Sequence, residues 1–332
     1  MRVGILGAGS WGTALAILLG KKGENVLLWA RRKEISEAIN TKGENPFYLP
    51  GFPLPPNVKA TLHIEEAVQG SEVIVLAVPS FAMREVVNKL SQCDIGGAVI
   101  VSAAKGLEEE SGKRMSEVIL EIMPSLRGNL LVLSGPNLAG EIVREIPTTS
   151  VVAGEERLSS FVQELFATHY FRVYRNEDII GVELGGALKN IIAIGAGIND
   201  GLGFGDNTKS ALMTRGLAEM IRLGLRLGAS IETFYGLAGL GDLVATCASP
   251  LSRNRRLGEL IAKGKSLEEA KKEIGQVAEG EPTTKAAYNL ALCLGVEMPI
   301  TYEIYNVLFR GKDPRQAVID LMTRPLKAEK YP

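Results

Sequence analysis

The sequence predicts an α/β amino-terminal domain built on a doubly wound sheet, residues 1–177, joined to an all-helical domain, residues 178–332. Three observations carry that expectation. Short β-rich runs alternate with helical stretches through the first half of the chain. Several of those runs are continuously apolar, which is how parallel strands read when helices cover both faces of the sheet. From about Asp178 the β-runs stop and long Ala/Leu/Gly-rich helical patterns take over. With 332 residues, 46% of them hydrophobic, the chain is long enough for two domains that each bury a core.

Taken in order, the predicted strands are Val3–Leu6, Val26–Ala30, Val73–Val78, Ala98–Ala103, Leu130–Ser134 and Ser150–Ala153, with Phe171–Tyr174 as the last. Thr13–Lys22 and Met83–Leu90 have the helical spacing of crossovers in a βαβ rhythm. The proline-rich, aromatic stretch Asn45–Pro56 reads as a loop bordering a site. In the second half, Ala211–Leu227, Ser266–Ile274 and Thr283–Leu294 carry helical spacing, behind a helix entered near Asp178. Ser249 as N-cap and Pro250 as first helical residue predict one more helix, with Ser252, Arg253 and Asn254 in or near its first turn.

Composition removes whole classes of function. Thirty-seven Lys and Arg against 38 Asp and Glu give a net charge of −1, which does not suggest a nucleic-acid-binding surface. The only histidines are His63 and His169, so there is no HExxH and no Cys/His zinc cluster, and no metal is expected. Cys93, Cys247 and Cys293 are odd in number and far apart, the usage of a reducing, cytoplasmic compartment. No uninterrupted apolar run reaches the ~18 residues of a membrane span. Met1-Arg2 ahead of Val3–Gly20 imitates a signal peptide, but Gly4, Gly7, Gly9 and Gly12 would break its helix.

Gly7-Ala8-Gly9-Ser10-Trp11-Gly12 fits GxGxxG directly after the first strand and before the first helix, the context of a Rossmann-type dinucleotide site. Gly7 permits the tight turn, Gly9 lets main-chain amides approach a pyrophosphate, and Gly12 lets helix and strand pack closely. An NAD-selective site places an acidic residue about 20 residues on. This chain has Trp29-Ala30-Arg31-Arg32 instead, where guanidinium groups suit a 2′-phosphate. NADP is therefore favoured without NAD being excluded, and paired arginines opening a solvated helix are the plainer alternative.

A nicotinamide enzyme acting on a carbonyl needs a proton donor at its oxygen. Histidine is scarce, and no tyrosine begins a Tyr-x-x-x-Lys pair. Lys189 is the outstanding lysine, in a helical stretch almost free of charge, with Gly185 and Gly186 on the same face. Two glycines cost helix stability, and the compensation expected is room for a ligand beside the ammonium; a lysine snorkelling from a buried helix is the alternative. Lys105 and the Gly135–Asn137 turn follow strand ends, where ligands of open α/β sheets bind. Asp242 closes a glycine-rich turn, and the Ser252–Asn254 helix start suits a phosphate. Each of these also reads as a capped turn with solvated charges.

Together these residues resemble the bacterial NAD(P)-dependent glycerol-3-phosphate dehydrogenases, along nearly the entire chain. The most specific portion is Glu183–Asp206, ELGGALKNIIAIGAGINDGLGFGD. TKSALMTRGLAEM at 208–220, GLAGLGDLV at 236–244, SRNRR at 252–256 and VAEG at 277–280 extend it. The resemblance implies a Rossmann domain, a helical substrate domain, and interconversion of dihydroxyacetone phosphate and sn-glycerol 3-phosphate for phospholipid synthesis. By position it implies Lys189 as catalytic acid and base, and Lys105, Gly135, Asn137, Lys189, Asp242, Ser252, Arg253 and Asn254 as substrate residues. It implies Ser10, Trp11, Arg31, Arg32, Tyr48, Lys105, Ala139, Arg253, Val277 and Glu279 as cofactor contacts, beside Gly7, Gly9 and Gly12 of the turn. Asn137 departs from the family's Ser or Thr but can still hydrogen-bond through its side chain. The rival readings are a β-hydroxyacid dehydrogenase or ketopantoate reductase, and a dinucleotide-sensing protein without catalysis. The expected partner is the small-molecule substrate; a homodimer is compatible with the sequence and not specified by it.

Overall fold

In the computed structural model, which describes residues 1–329, the apolar runs of the first half become strands of one sheet. In chain order the strands are β1 (Arg2–Leu6), β2 (Asn25–Trp29), β3 (Glu44–Asn45), β4 (Leu49–Pro53), β5 (Val58–Thr61), β6 (Val73–Leu76), β7 (Val99–Ser102), β8 (Leu130–Ser134), β9 (Thr148–Ala153) and β10 (Phe171–Asn176). Alternate residues of a central strand feed different cores. Val73 and Val75 of β6 enter one apolar cluster, Ile74 and Leu76 the other, so the run needs no polar positions.

The eight-stranded sheet has the order β10-β9-β8-β7-β6-β1-β2-β5. Strands β5, β2, β1, β6, β7 and β8 are parallel, the doubly wound arrangement with its switch point between β1 and β6. The last two strands depart from it: β9 runs antiparallel to β8, with Ser134 opposite Val151, and β10 follows β9 in parallel. The segment between β8 and β9 holds only the short helix Ala139–Ile142, which cannot carry a crossover back along the sheet. The chain therefore turns back at the carboxyl edge and leaves the Gly135–Ala139 turn there.

Three strands, β3, β4 and β5, are absent from the sequence-based expectation. The proline-rich stretch expected as a loop contains the β3–β4 hairpin, and β5 pairs with β2 at the sheet edge. Pro50 and Pro53 mask β4, where an edge tolerates a missing N–H, whereas β5 holds no proline and is only four residues long.

Residues Met1–Ala104 and Met115–Ile179 form the sheet unit; Lys105–Arg114 and the described residues from Ile180 onward form the helical unit. The division expected at 177/178 is thus drawn after Ile179, and a ten-residue excursion leaves the sheet unit early. That excursion is tied into the helical unit by Leu107, which is buried in the helical core, and by ion pairs Lys105–Asp242, Arg114–Glu183 and Lys285–Glu109.

The helical unit is organised on Ile179–Gly201, whose residues Gly181 to Asn199 are all buried. By length and composition this helix could cross a membrane, yet 89% of its most apolar window lies inside the protein. It is the core helix of the unit. Around it stand Asp206–Arg226, Gly280–Leu294 and Pro299–Arg310; the stretch expected at Ala211–Leu227 falls in the first with Leu227 as its C-cap, that at Thr283–Leu294 in the second, and that at Ser266–Ile274 forms a separate helix, Leu267–Ile274, capped by Ser266. The helix expected from Ser249 begins instead at Arg253, with Ser252 as N-cap accepting from the Arg255 amide. Ser249 closes the preceding helix Asp242–Ala248, and its hydroxyl accepts from the Leu251 amide in a turn that Pro250 occupies.

Candidate active site

In the sheet unit, β1 delivers Gly7 at φ +123°, a backbone conformation that side chains rarely adopt. A Cβ on Gly7 would also lie 2.5 Å from the Ala77 carbonyl, and one on Gly12 would lie 1.9 Å from the Gly7 carbonyl. Gly9, by contrast, has nothing within 4 Å of where its Cβ would stand, an open cradle at the start of helix Ser10–Lys21. Trp11 brings a buried indole Nε1–H that has no hydrogen-bond partner. An orphaned buried donor beside an open glycine turn and a helix N-terminus fits a dinucleotide phosphate chain.

Ser10 donates through its hydroxyl to the Tyr48 carbonyl at 2.8 Å, joining the turn to the β3–β4 hairpin. Arg31 and Arg32 follow β2 and are exposed. Gly135, at φ +125°, Asn137 and Ala139 occupy the turn after β8. The sheet unit thus holds Gly7, Gly9, Ser10, Trp11, Gly12, Arg31, Arg32, Tyr48, Gly135, Asn137 and Ala139; Lys105, Arg253, Val277, Glu279 and the remaining candidates belong to the helical unit.

In the helical unit, two lysines meet one carboxylate. Lys189 donates to Asp242 Oδ1 at 2.5 Å and to Thr246 Oγ1 at 2.7 Å, and Lys105 donates to Asp242 Oδ2 at 2.7 Å. Lys189 and Asp242 keep only 7% and 3% of their side chains exposed, against 15% for Lys105. Burial pulls the Lys105 ammonium down to about 8; the Asp242 carboxylate opposes that and the Lys189 ammonium adds to it. Lys189 has three N–H bonds and spends two on protein acceptors.

Gly185 has a different use from the one its position suggested. A Cβ there would lie 2.5 Å from the Ala238 carbonyl. The glycine lets the core helix touch the π-helical turn Leu237–Gly241, the turn that presents Asp242. Its space is filled by main chain, not kept for a ligand.

At the helix starting with Arg253, Asn254 Nδ2 donates with one of its two N–H bonds to Asn190 Oδ1, and its Oδ1 accepts from the Gly280 amide, each at 2.9 Å. Arg255 forks onto Asp200, which also pairs with Lys209, and Arg256 pairs with Glu259 and Glu273. Arg253 points outward as the first residue of that helix. Val277 and Glu279 precede helix Gly280–Leu294. Among the described residues no group of three His, Cys, Asp or Glu could hold a metal ion.

Sequence reasoning missed Thr246 and Asn190. The signal for Thr246 was its place four residues after Asp242, which puts both on one helical face. Asn190 is a buried amide beside Lys189, and only its pairing with Asn254 reveals it.

Comparison with known proteins finds relatives along nearly the whole chain. The N-terminal family of the NAD-dependent glycerol-3-phosphate dehydrogenases matches residues 2–159, and the C-terminal family matches residues 178–319. The chain is 54% identical to a glycerol-3-phosphate dehydrogenase of the NAD(P)+ type from Thermoanaerobacter sp. (strain X514), over 99% of both chains. It is 52% identical to another from Clostridium tetani, over 98% of this chain and 93% of that one. The crystal structure of glycerol-3-phosphate dehydrogenase from Coxiella burnetii superposes with a TM-score of 0.93 at 40% identity, covering 97% of this chain and 99% of the other.

Proposed function

This chain belongs to the NAD-dependent glycerol-3-phosphate dehydrogenase family, and on that premise we propose how its own residues carry the reaction. The activity is the reversible reduction of dihydroxyacetone phosphate to sn-glycerol 3-phosphate with NAD(P)H. The coenzyme, when bound, supplies the hydride for the ketone carbon. Gly7 to Gly12 hold its phosphates, Trp11 gives its indole N–H to an acceptor there, Arg31 and Arg32 meet the 2′-phosphate, and Tyr48, Lys105, Ala139, Arg253, Val277 and Glu279 complete its contacts.

Lys189 gives the proton of its remaining N–H bond to the ketone oxygen as negative charge grows there, and takes it back in the reverse direction. Asp242 holds both ammoniums in place, and Lys105 hydrogen-bonds a substrate oxygen. Ser252, Arg253 and Asn254 receive the substrate phosphate at a helix N-terminus. Asn254 spends one side-chain N–H on Asn190, which leaves its second side-chain N–H and its main-chain amide as donors for that phosphate. Gly135 and Asn137 line the substrate from the turn after β8. A cytoplasmic homodimer that supplies the phospholipid backbone accords with this reading, and its three free cysteines accord with a reducing compartment.

The observation that carries the reading is the buried Lys105–Asp242–Lys189 cluster in a chain of this family. The test is NADPH oxidation followed by absorbance with dihydroxyacetone phosphate, dihydroxyacetone and ketopantoate in turn. Turnover with dihydroxyacetone phosphate and little with the other two is expected. Equal turnover with unphosphorylated dihydroxyacetone would remove the phosphate site, since binding energy at the unreactive end would then contribute nothing to the rate.

A further inference from the structure

We propose that the β3–β4 hairpin sets the preference for a 2′-phosphorylated coenzyme, and that Phe47 does so by holding the Arg32 guanidinium ready for that phosphate. The inference rests on the assignment of the Gly7–Gly12 turn to the coenzyme made above.

The hairpin is fastened to that turn. Asn45 at its base is fully buried, and its Nδ2 donates to the Ala8 carbonyl at 3.0 Å and to Thr13 Oγ1 at 2.8 Å. Ser10, inside the turn, donates to the Tyr48 carbonyl. Whatever the hairpin carries is therefore held in register with the phosphate cradle. Between its two strands it carries Phe47 and Tyr48.

Arg32 comes from a different element, the start of helix Lys33–Lys42 after β2. Its guanidinium carbon lies 5.2 Å from the Phe47 ring centroid and 5.4 Å from that of Tyr48, within cation–π range of both. Among the described residues no carboxylate pairs with Arg32, so its N–H groups are left for an anion from outside the protein. An arginine at the surface ordinarily loses much rotamer freedom when it grips a phosphate. Two rings that already fix its plane remove that cost before the ligand arrives. Only a coenzyme bearing the 2′-phosphate benefits.

Phe47 is the residue on which to test this. Tyr48 also accepts from Ser10 through its main chain, whereas Phe47 is 48% exposed and its substitution leaves the hairpin's ties to the turn in place. The experiment is fluorescence titration of the full-length protein with NADPH and NADH, and competition by adenosine 2′,5′-bisphosphate and by 5′-AMP.

Phe47→Leu should weaken NADPH and the bisphosphate by about two- to fivefold, the range of an exposed cation–π contact, and leave NADH and 5′-AMP unchanged. Phe47→Trp, which keeps a ring face, should retain NADPH affinity. Arg32→Gln should weaken NADPH by about tenfold or more, as expected for a charge-assisted hydrogen bond. Adding Phe47→Leu to Arg32→Gln should then cost nothing further. Equal losses of NADPH and NADH in Phe47→Leu would make Phe47 a platform for the adenine and overturn the inference; so would no loss of either, or losses in the double variant that simply multiply. Wild-type protein that binds neither coenzyme would overturn the assignment of the turn itself, and this inference with it.

Discussion

Lys189 and Lys105 share the Asp242 carboxylate, Lys189 with 7% and Lys105 with 15% of its side chain exposed. Lys189→Met keeps the approximate bulk and removes the proton. It should lower kcat for reduction at least ~100-fold, the low end of acid–base catalysis, while NADPH affinity by fluorescence titration stays nearly intact. A variant that keeps more than about a tenth of the wild-type kcat, with hydride transfer rate-limiting, would move the acid elsewhere. For Lys105 the sign follows from a value pulled down to about 8: the ammonium is present below that pH and lost above it, rather than surviving to 10.5. The kcat/KM for dihydroxyacetone phosphate should therefore fall as pH rises through about 8. Lys105→Arg, whose charge persists, should move that limb to higher pH. A limb that stays put in the arginine variant would assign it to another group.

At the scale of the element, helix Pro299–Arg310 starts at Met298, which offers no side-chain cap. Glu219, from the helix Asp206–Arg226, takes that place: its carboxylate accepts from the Ile300 amide at 2.6 Å and from the amide and hydroxyl of Thr301 at 3.1 and 3.0 Å. Burial pushes this carboxyl up to about 7 from 4.5, against the opposing pull of those donors. A raised value means the folded protein binds the proton more tightly than the unfolded chain. The stabilisation is complete below pH 4.5 and is lost as pH rises through about 7. Urea unfolding should thus show wild-type stability falling between these pH values by about 2–4 kcal/mol more than in Glu219→Gln, which cannot ionise. Identical pH slopes in the two proteins would mean that Glu219 does not titrate there.

For the whole molecule, the sheet unit has apolar clusters on both sheet faces and the helical unit has its own core. A ligand that binds only the folded chain stabilises it by mass action, about 2.7 kcal/mol at a hundred times its Kd. NADPH at that excess should raise Tm by about 3–5 °C for a chain of this length, and NADP+ lacking the dihydronicotinamide should do so at its own Kd. Calorimetry with no shift from either form would contradict coenzyme binding.

The layered sheet, the dinucleotide turn, the helical second half and the family were legible from the residues alone, because apolar period, glycine spacing and a long specific run are local properties of the chain. Lys105, Lys189 and Asp242 could each be picked out from its surroundings. That one carboxylate serves both lysines was decided by tertiary structure, since residues 105, 189 and 242 meet only when the Lys105–Arg114 excursion joins the helical unit. Gly185 was legible as an anomaly, but its use was not: the carbonyl of Ala238 that fills its space arrives from 53 residues away. The hairpin at Glu44–Pro53 was hidden by its prolines, and the Ser249–Ser252 turn by two serines that both qualify as caps. Local rules propose every candidate cap or strand; which one forms depends on the hydrogen bonds and packing that distant residues supply.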